Sequence, residues 1–312
     1  MIKSLSQLES VIDLCSKCNN WTIQLLNIKN TIKNGTTYIG REIVLHPDDK
    51  LNDFVKEIDT YYVKEKNLER YKEICAFDGV NIENRISYIS NDNPLISDQF
   101  IKFKNAINKP NVDGSLETKD FKGYVLTGSI GEEKKEIYLV SILNPIISYK
   151  KKHNFIIQNN SFKEITGNIL RLKIYIDAII YDGFFYMFNM SAEKLFNMER
   201  SYKKICEQQV EKMERRNIFS DFEKFKQVAT SGNRPRKFVS YRQENFDLLV
   251  EDIGKRIEIA GRFDIKMTDD DKFDTSEDKS NDNLVKVLCS KAALEPFHNS
   301  PVEVESARKW GS

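Results

Sequence analysis

The stretch LRLKIYIDAIIYDGFFYMFN, residues 170–189, decides the fold. Residues 170–180 place apolar side chains at every second position, which is typical of a β-strand. Asp182 and Gly183 tolerate the positive φ angles of a type I′ turn, and residues 184–189 return as a partner strand. The stretch therefore predicts a long antiparallel β-hairpin.

The sequence before this hairpin alternates strand-like and helical patterns. Helical periodicity occurs near residues 48–66 and 95–107. Short apolar runs that favour strands occupy 21–28, 38–45, 121–128 and 136–143. We therefore predict an α+β fold, with a mixed sheet-containing domain over 1–190.

The sequence after the hairpin is mostly helical. Ser191 lies at an N-cap position, and an amphipathic pattern follows as far as Arg215 and Arg216. A second amphipathic helix is predicted from Gln243 to Ala260. Its predicted buried side chains are Phe246, Leu249, Val250, Ile253 and Ile257. Residues 191–312 are thus predicted to form a mostly helical domain, with a solvated acidic loop at 268–283.

Composition limits the classes of function. The 312 residues are 40% apolar, enough for one large core or two modest ones. Because 48 Lys and Arg balance 47 Asp and Glu, any nucleic-acid site must be a local basic patch. No apolar run approaches the roughly 20 residues that span a bilayer, and the N-terminus lacks a signal-peptide pattern. Five cysteines, an odd and scattered set, suit reduced thiols in a cytoplasm. We therefore expect a cytoplasmic protein without direct membrane insertion.

Catalytic patterns are weak. Cys15 and Cys18 have CxxC spacing, but no second pair completes a metal site, and no histidine has a catalytic spacing. The acidic run 269–271 lacks the glycine and glutamate of a calcium loop. Asp177 and Asp182 leave a metal-dependent nuclease as a minor alternative, although Asp182 is already explained by its turn. No glycine-rich phosphate loop occurs. We predict no catalytic residue, no metal site and no cofactor, and hence a protein that is not an enzyme.

Basic clusters are the features that point to a partner. Residues 230–242 contain four cations and no acid, together with aromatic and hydroxyl side chains that suit phosphate contacts, and we predict a loop that enters a short strand. The predicted DNA-contact residues are Arg234, Arg236, Lys237 and Arg242, extended by Lys150, Lys151 and Lys152. The alternative is a solvated turn whose arginines pair with a neighbouring acidic helix. A surface loop also predicts that reversing Arg234, Arg236 and Lys237 leaves thermal stability nearly unchanged.

A third set of cations alternates with glutamates and suits a solubilising face. These cations are Lys203, Lys204, Lys212, Arg215 and Arg216.

The hairpin IIYDGFFYMFN (179–189), the helix start SAEKLF (191–196) and the end at 284–310 together resemble one family. It is the KwaB family, the soluble B subunit of the bacterial Kiwa anti-phage system. The resemblance implies a cytoplasmic protein that self-associates, docks on the transmembrane partner KwaA, and binds phage DNA to obstruct its replication or transcription.

The leading hypothesis is therefore a DNA-binding, homo-oligomeric effector of phage defence, recruited to the inner face of the membrane by its partner. A non-catalytic scaffold that docks on a membrane protein is the alternative, and the nuclease is the third.

Overall fold

The fold is taken from a computed structural model, which describes residues 1–18, 20–31, 35–43, 49–80, 84–110, 121–142, 154–158, 161–165, 172–294 and 301–303. Contacts within it divide the chain into two compact units. The first unit comprises 1–76 and 83–197, and the second comprises 77–82 and 198–312. Whether 1–190 and 191–312 are independent folding domains stays a prediction.

The first unit is built on an eight-stranded sheet. Its strands are β1 (Thr22–Thr31), β2 (Gly35–Ile43), β3 (Glu73–Ala76), β4 (Arg85–Ser90), β5 (Phe121–Ile130), β6 (Lys135–Ile142), β9 (Ala178–Tyr181) and β10 (Phe184–Met187). Their order is β2-β1-β5-β6-β9-β10-β4-β3. Neighbours are antiparallel except β3 and β4, which are parallel. A separate hairpin pairs β7 (Asn154–Gln158) with β8 (Ser161–Ile165).

Helices complete the core of the first unit. They are α1 (Leu5–Ser16), α2 (Asp49–Asp59), which continues into a π-turn over Thr60–Lys64, and α3 (Ser97–Asn108). Leu8, Ile12, Val55 and Tyr62 are buried with residues of the sheet in one apolar cluster. The helical patterns near 48–66 and 95–107 are thus confirmed.

The predicted hairpin is confirmed at its turn, and both of its strands, Ala178–Tyr181 and Phe184–Met187, are shorter than predicted. Asp182 and Gly183 have φ of 50° and 80°, as a type I′ turn requires. The first strand begins at Ala178. The N–H of Asp177 still donates to the carbonyl of Val140 on β6 (2.8 Å), but the backbone of Ile176, one residue earlier, is bonded to a side chain. The Tyr62 hydroxyl donates to the carbonyl of Ile176 (3.1 Å) and accepts from its N–H (3.0 Å). Residues 170 and 171 lie outside the described residues.

The second unit is mostly helical, which confirms the α+β class. Its helices are α4 (Met198–Met213), α5 (Phe222–Ala229), α6 (Arg234–Lys237), α7 (Gln243–Glu251), α8 (Ile253–Arg262) and α9 (Asp278–Leu288), with a short ribbon of β11 (Ala292–Leu294) and β12 (Pro301–Glu303). Phe219, Phe225, Phe246 and Phe273 lie at the centre of its core.

The helix predicted to begin at Ser191 is interrupted. Met190–Phe196 form a 3₁₀ helix that Asn189 caps, since the Asn189 side chain accepts from the N–H of Ser191 (2.9 Å). Asn197 then adopts a left-handed conformation (φ 49°), and α4 begins one residue later. The prediction of Ser191 as the N-cap is therefore wrong, because Asn189 caps the 3₁₀ helix. Asn197 then ends that helix before α4 starts.

The helix predicted from Gln243 to Ala260 is two helices. The carboxylate of Asp252 accepts from the N–H of Lys255 (2.8 Å), so it caps α8 and ends α7. Phe246 and Leu249 are buried as predicted. The break rotates α8, and Ile253 and Ile257, predicted as buried, are 51% and 47% exposed.

The acidic segment 268–283 is ordered rather than a solvated loop. Phe273 is buried in the helical core, and the hydroxyl of the buried Thr275 accepts from the N–H of Asp221 (2.9 Å). From Asp278 onward the chain is α9. One phenylalanine and one threonine, surrounded by acids, thus anchor the segment. Among the helices described here, none is both long and apolar enough to cross a membrane.

Candidate nucleic-acid interface

The basic segment 230–242 forms two short helical turns in the second unit. Helix α6 is followed by a 3₁₀ turn over Phe238–Ser240, so the predicted loop entering a strand is wrong. Pro235 lies in the first turn of α6, where its missing N–H costs no hydrogen bond. Phe238 is buried and stacks on Tyr241, with ring centroids 5.8 Å apart. These aromatic rings therefore pack the unit rather than project outward.

Arg234 is bound to an acid on α9. Its Nε lies 2.7 Å from Oδ1 of Asp282, whose other oxygen lies 2.9 Å from Nζ of Lys286. Burial opposes ionisation of Asp282, but hydrogen bonds from Lys286 and Arg234 outweigh it and lower the pKa of this carboxyl below its usual value. The structure therefore agrees with the alternative expectation for Arg234, which was a pairing with an acidic helix.

Arg236 binds the segment 77–80, which belongs to the same unit. Its Nε donates to the carbonyl of Gly79 (2.6 Å). The guanidinium lies over the rings of Phe77 and Tyr202, 5.8 and 5.7 Å from their centroids. A charged hydrogen bond and two cation–π contacts therefore hold this side chain in place.

The segment 77–80 is held at further points. Ser240 Oγ and Lys291 Nζ both donate to the carbonyl of Asp78, at 2.7 and 3.3 Å. Gly79 has φ of 81°, and a Cβ there would lie 2.6 Å from the carbonyl oxygen of Arg236. Only glycine fits this close approach. Residues 236–240 therefore bind residues 77–80, a segment from far earlier in the chain.

The remaining predicted cations differ in accessibility. Lys237 is half-buried, whereas Arg242 is exposed at the start of α7. Within the parts of the chain that the structure describes, the Arg242 side chain has no hydrogen bond or ion pair. Lys150, Lys151 and Lys152 lie outside the described residues.

The two carboxylates considered for a nuclease both have structural partners. Asp177 is buried and accepts from the N–H of Ile142 (2.5 Å) and from Nδ2 of Asn189 (2.7 Å). Asp182 lies 2.5 Å from the amino group of Met1, whose hydrogen bond lowers the pKa of this carboxyl. Across the described ranges, no three His, Cys, Asp or Glu side chains are grouped to hold a metal ion.

None of the five cysteines, all of which lie among the described residues, forms a disulfide bond. Burial, and then the neighbouring Cys18, raises the pKa of the Cys15 thiol, which opposes formation of a reactive thiolate. The three histidines lie outside the described residues.

Sequence reasoning missed one basic residue and grouped others that the structure separates. On α4, Lys203 pairs with Glu199 (3.0 Å), and Arg216, just after α4, pairs with Asp247 (3.2 Å). Arg200, also on α4, is exposed and was not in the predicted set. Paired and unpaired cations are equally exposed here, so only the ion pairs of the folded chain tell them apart.

Comparison with family models gives one match. The model described as Kiwa protein KwaB-like matches residues 118–293, more than half of the chain. The match begins before β5 and runs through α9, so it includes the whole basic segment. Comparison with curated proteins and with solved structures gives no match.

Proposed function

The chain belongs to the KwaB-like family of Kiwa proteins, and from this membership we propose that it is a DNA-binding, self-associating effector of anti-phage defence. The observation that carries DNA binding is the concentration of four cations, without an acid between them, in residues 234–242. Basic side chains that reach phosphates give affinity without reading bases. The proposed binding is therefore largely independent of DNA sequence.

The proposed contact residues have different roles within this surface. Arg242 is exposed and lacks a described partner, so its guanidinium is available to a phosphate. Arg234 and Arg236 are engaged inside the unit, where they fix the shape of the segment while their charges still contribute to the local potential. The side chain of Lys237 is half-buried. Lys150, Lys151 and Lys152 are proposed to extend the track.

The proposed partners include a second copy of the chain and the transmembrane subunit KwaA. Leu248, Ile253 and Ile257 are 48, 51 and 47% exposed on α7 and α8, which supports a protein contact in this region. The proposed place of action is the cytoplasmic face of the membrane, where DNA binding obstructs phage replication or transcription. Light scattering tests self-association. A mass above the 36.4 kDa of one chain supports it, and a monomer at every concentration contradicts it.

A second candidate function is a scaffold that holds a membrane partner and touches DNA only incidentally. The observation that favours it is the internal use of Arg234 and Arg236, whose guanidinium groups bind the Asp282 carboxylate and the Gly79 carbonyl. A scaffold of this kind predicts no measurable affinity for DNA at low salt.

DNA-binding titration of the unaltered protein separates these candidates, and the same titration of the Arg242→Gln variant tests the proposed contact. Each phosphate neutralised on duplex DNA contributes roughly 0.9 to the slope of log K against log salt. We expect Arg242→Gln to weaken binding at low salt and to reduce the slope by about 0.9. The matched control is Arg262→Gln, which removes an exposed arginine paired with Glu258 (2.7 Å). Equal binding by both variants and the unaltered protein would remove Arg242 from the interface.

A further inference from the structure

We propose that one side of α4, together with the 3₁₀ turn Glu214–Arg216 that continues it, is a second phosphate-contacting track, in which Arg200, Lys204, Lys212 and Arg215 lie along a DNA strand. This inference rests on the proposed function and names a surface for it. We refer to these four residues as the α4 stripe.

The helical repeat places the α4 stripe on the solvent side. Met198, Tyr202, Val210 and Met213 of α4 are buried in the second unit. Each residue of the stripe follows one of these by two positions, which is about 200° around a helix with 3.6 residues per turn. All four residues of the stripe are exposed. The stripe thus runs along the side of α4 opposite its core.

The members of the α4 stripe are free, whereas neighbouring cations are paired. For the residues that the structure describes, none of the four side chains makes a hydrogen bond, an ion pair or a ring contact. The middle position of the stripe is the neutral Gln208, and the exposed Glu207 and Glu214 lie along its edge. Glu211, which lies beside it, has Oε1 4.0 Å from Nζ of Lys226 on α5. A free cation can neutralise a phosphate at once, but a paired one must first give up its acid.

The length of the α4 stripe suits a nucleic-acid strand. Arg200 and Arg215 are 15 residues apart, which is about 22 Å at a rise of 1.5 Å per residue. A duplex strand advances about 3.4 Å per phosphate along its axis, so this length faces roughly six phosphates. Four free cations over six phosphates give an electrostatic contact without base recognition.

DNA fits the α4 stripe better than an anionic membrane does. A helix that binds at a membrane surface inserts an apolar face into the lipid. The apolar face of α4 is turned into the core, where Tyr202, Cys206 and Val210 are at most 4% exposed. The exposed side offers charge without the apolar area that lipid binding requires.

The test uses the full chain, a fluorescently labelled duplex and a series of salt concentrations. The stripe variant carries Arg200→Gln, Lys204→Gln, Lys212→Gln and Arg215→Gln, because glutamine keeps helix propensity. The control variant removes four cations that are ion-paired, with Lys203→Gln, Lys226→Gln, Arg262→Gln and Lys279→Gln. We expect the stripe variant to lose at least about 100-fold in affinity at low salt and to reduce the salt slope by roughly 3 to 4, with the control losing far less.

The outcomes are distinguishable. If the unaltered protein fails to bind duplex DNA at low salt, the proposed function fails and the α4 stripe fails with it. If the unaltered protein binds and both variants lose affinity equally, DNA binding stands and the α4 stripe is wrong. Loss of binding to vesicles of anionic phospholipid, with DNA binding retained, also overturns the stripe. Should the fourfold variant fail to fold, the pair Lys204→Gln and Lys212→Gln gives the same test, with an expected slope change of roughly 1.8.

Discussion

Replacing Arg236 by alanine separates a structural role of the basic segment from a role in DNA binding. The substitution removes the 2.6 Å hydrogen bond to the Gly79 carbonyl and the contacts with the rings of Phe77 and Tyr202. The Gly79 carbonyl is left without this donor, while the three groups that surrounded the guanidinium lose their common packing partner.

The magnitude follows from these contacts. A hydrogen bond to a charged group contributes about 1.5–3 kcal/mol. Each cation–π contact adds about 0.5–1 kcal/mol. Allowing for partial solvent access of this half-buried side chain, we expect Arg236→Ala to lower the free energy of unfolding by about 2–4 kcal/mol. This loss is measured as a shift of the urea midpoint by circular dichroism at pH 7.

The matched control is Arg242→Ala, which lies in the same segment and is exposed. It should change stability by no more than about 0.5 kcal/mol and should weaken DNA binding. A change of less than about 0.5 kcal/mol in Arg236→Ala, together with a larger loss of DNA affinity than in Arg242→Ala, would refute the packing argument. Because Arg234 and Arg236 are bound inside the unit, we now expect reversal of Arg234, Arg236 and Lys237 to lower thermal stability, whereas the sequence alone predicted that it would be nearly unchanged.

Three further predictions concern the fold and the chemistry. Arg256 donates to the carbonyls of Leu249, Val250 and Asp271 (2.6–2.9 Å). Arg256→Met should therefore lower the free energy of unfolding by about 3–5 kcal/mol in urea denaturation, and a loss of less than about 1 kcal/mol would contradict this. The folded-state pKa of Asp282 is lowered, so its contribution to stability is complete above about pH 5 and is lost as pH falls below about 4; Asp282→Asn should flatten acid unfolding in this window. DNA should stay intact with Mg²⁺ or Mn²⁺, and Asp177→Ala should lower the melting temperature; cleavage that this variant abolishes with its fold retained would restore the nuclease hypothesis.

Local sequence signals predicted the elements that depend on local physics. The Asp182-Gly183 turn was predictable because few residue pairs accept two positive φ angles. The helix breaks at Asn197 and Asp252 were not, because both residues also occur inside helices and their capping role depends on the chain around them. The misplaced burial of Ile253 follows directly from the unpredicted break at Asp252.

The basic segment was found from the sequence, but its contacts were not. Arg236 and Gly79 are 157 positions apart, and Arg234 and Asp282 are 48 apart. Nothing in a charge pattern states which cations are used inside a fold, since an arginine that faces solvent and one that binds a carbonyl look alike in sequence. The α4 stripe was hidden for the same reason, because paired and free cations alternate along one helix.

Salt-dependent titration of duplex DNA with the purified full chain, with and without Mg²⁺, tests the central claim most directly. We predict binding at low salt that weakens steeply as salt rises, with a log–log slope of several units at roughly 0.9 per neutralised phosphate, and the same curve with Mg²⁺ and intact DNA. A flat salt response, or no binding at low salt with micromolar protein, would contradict the account.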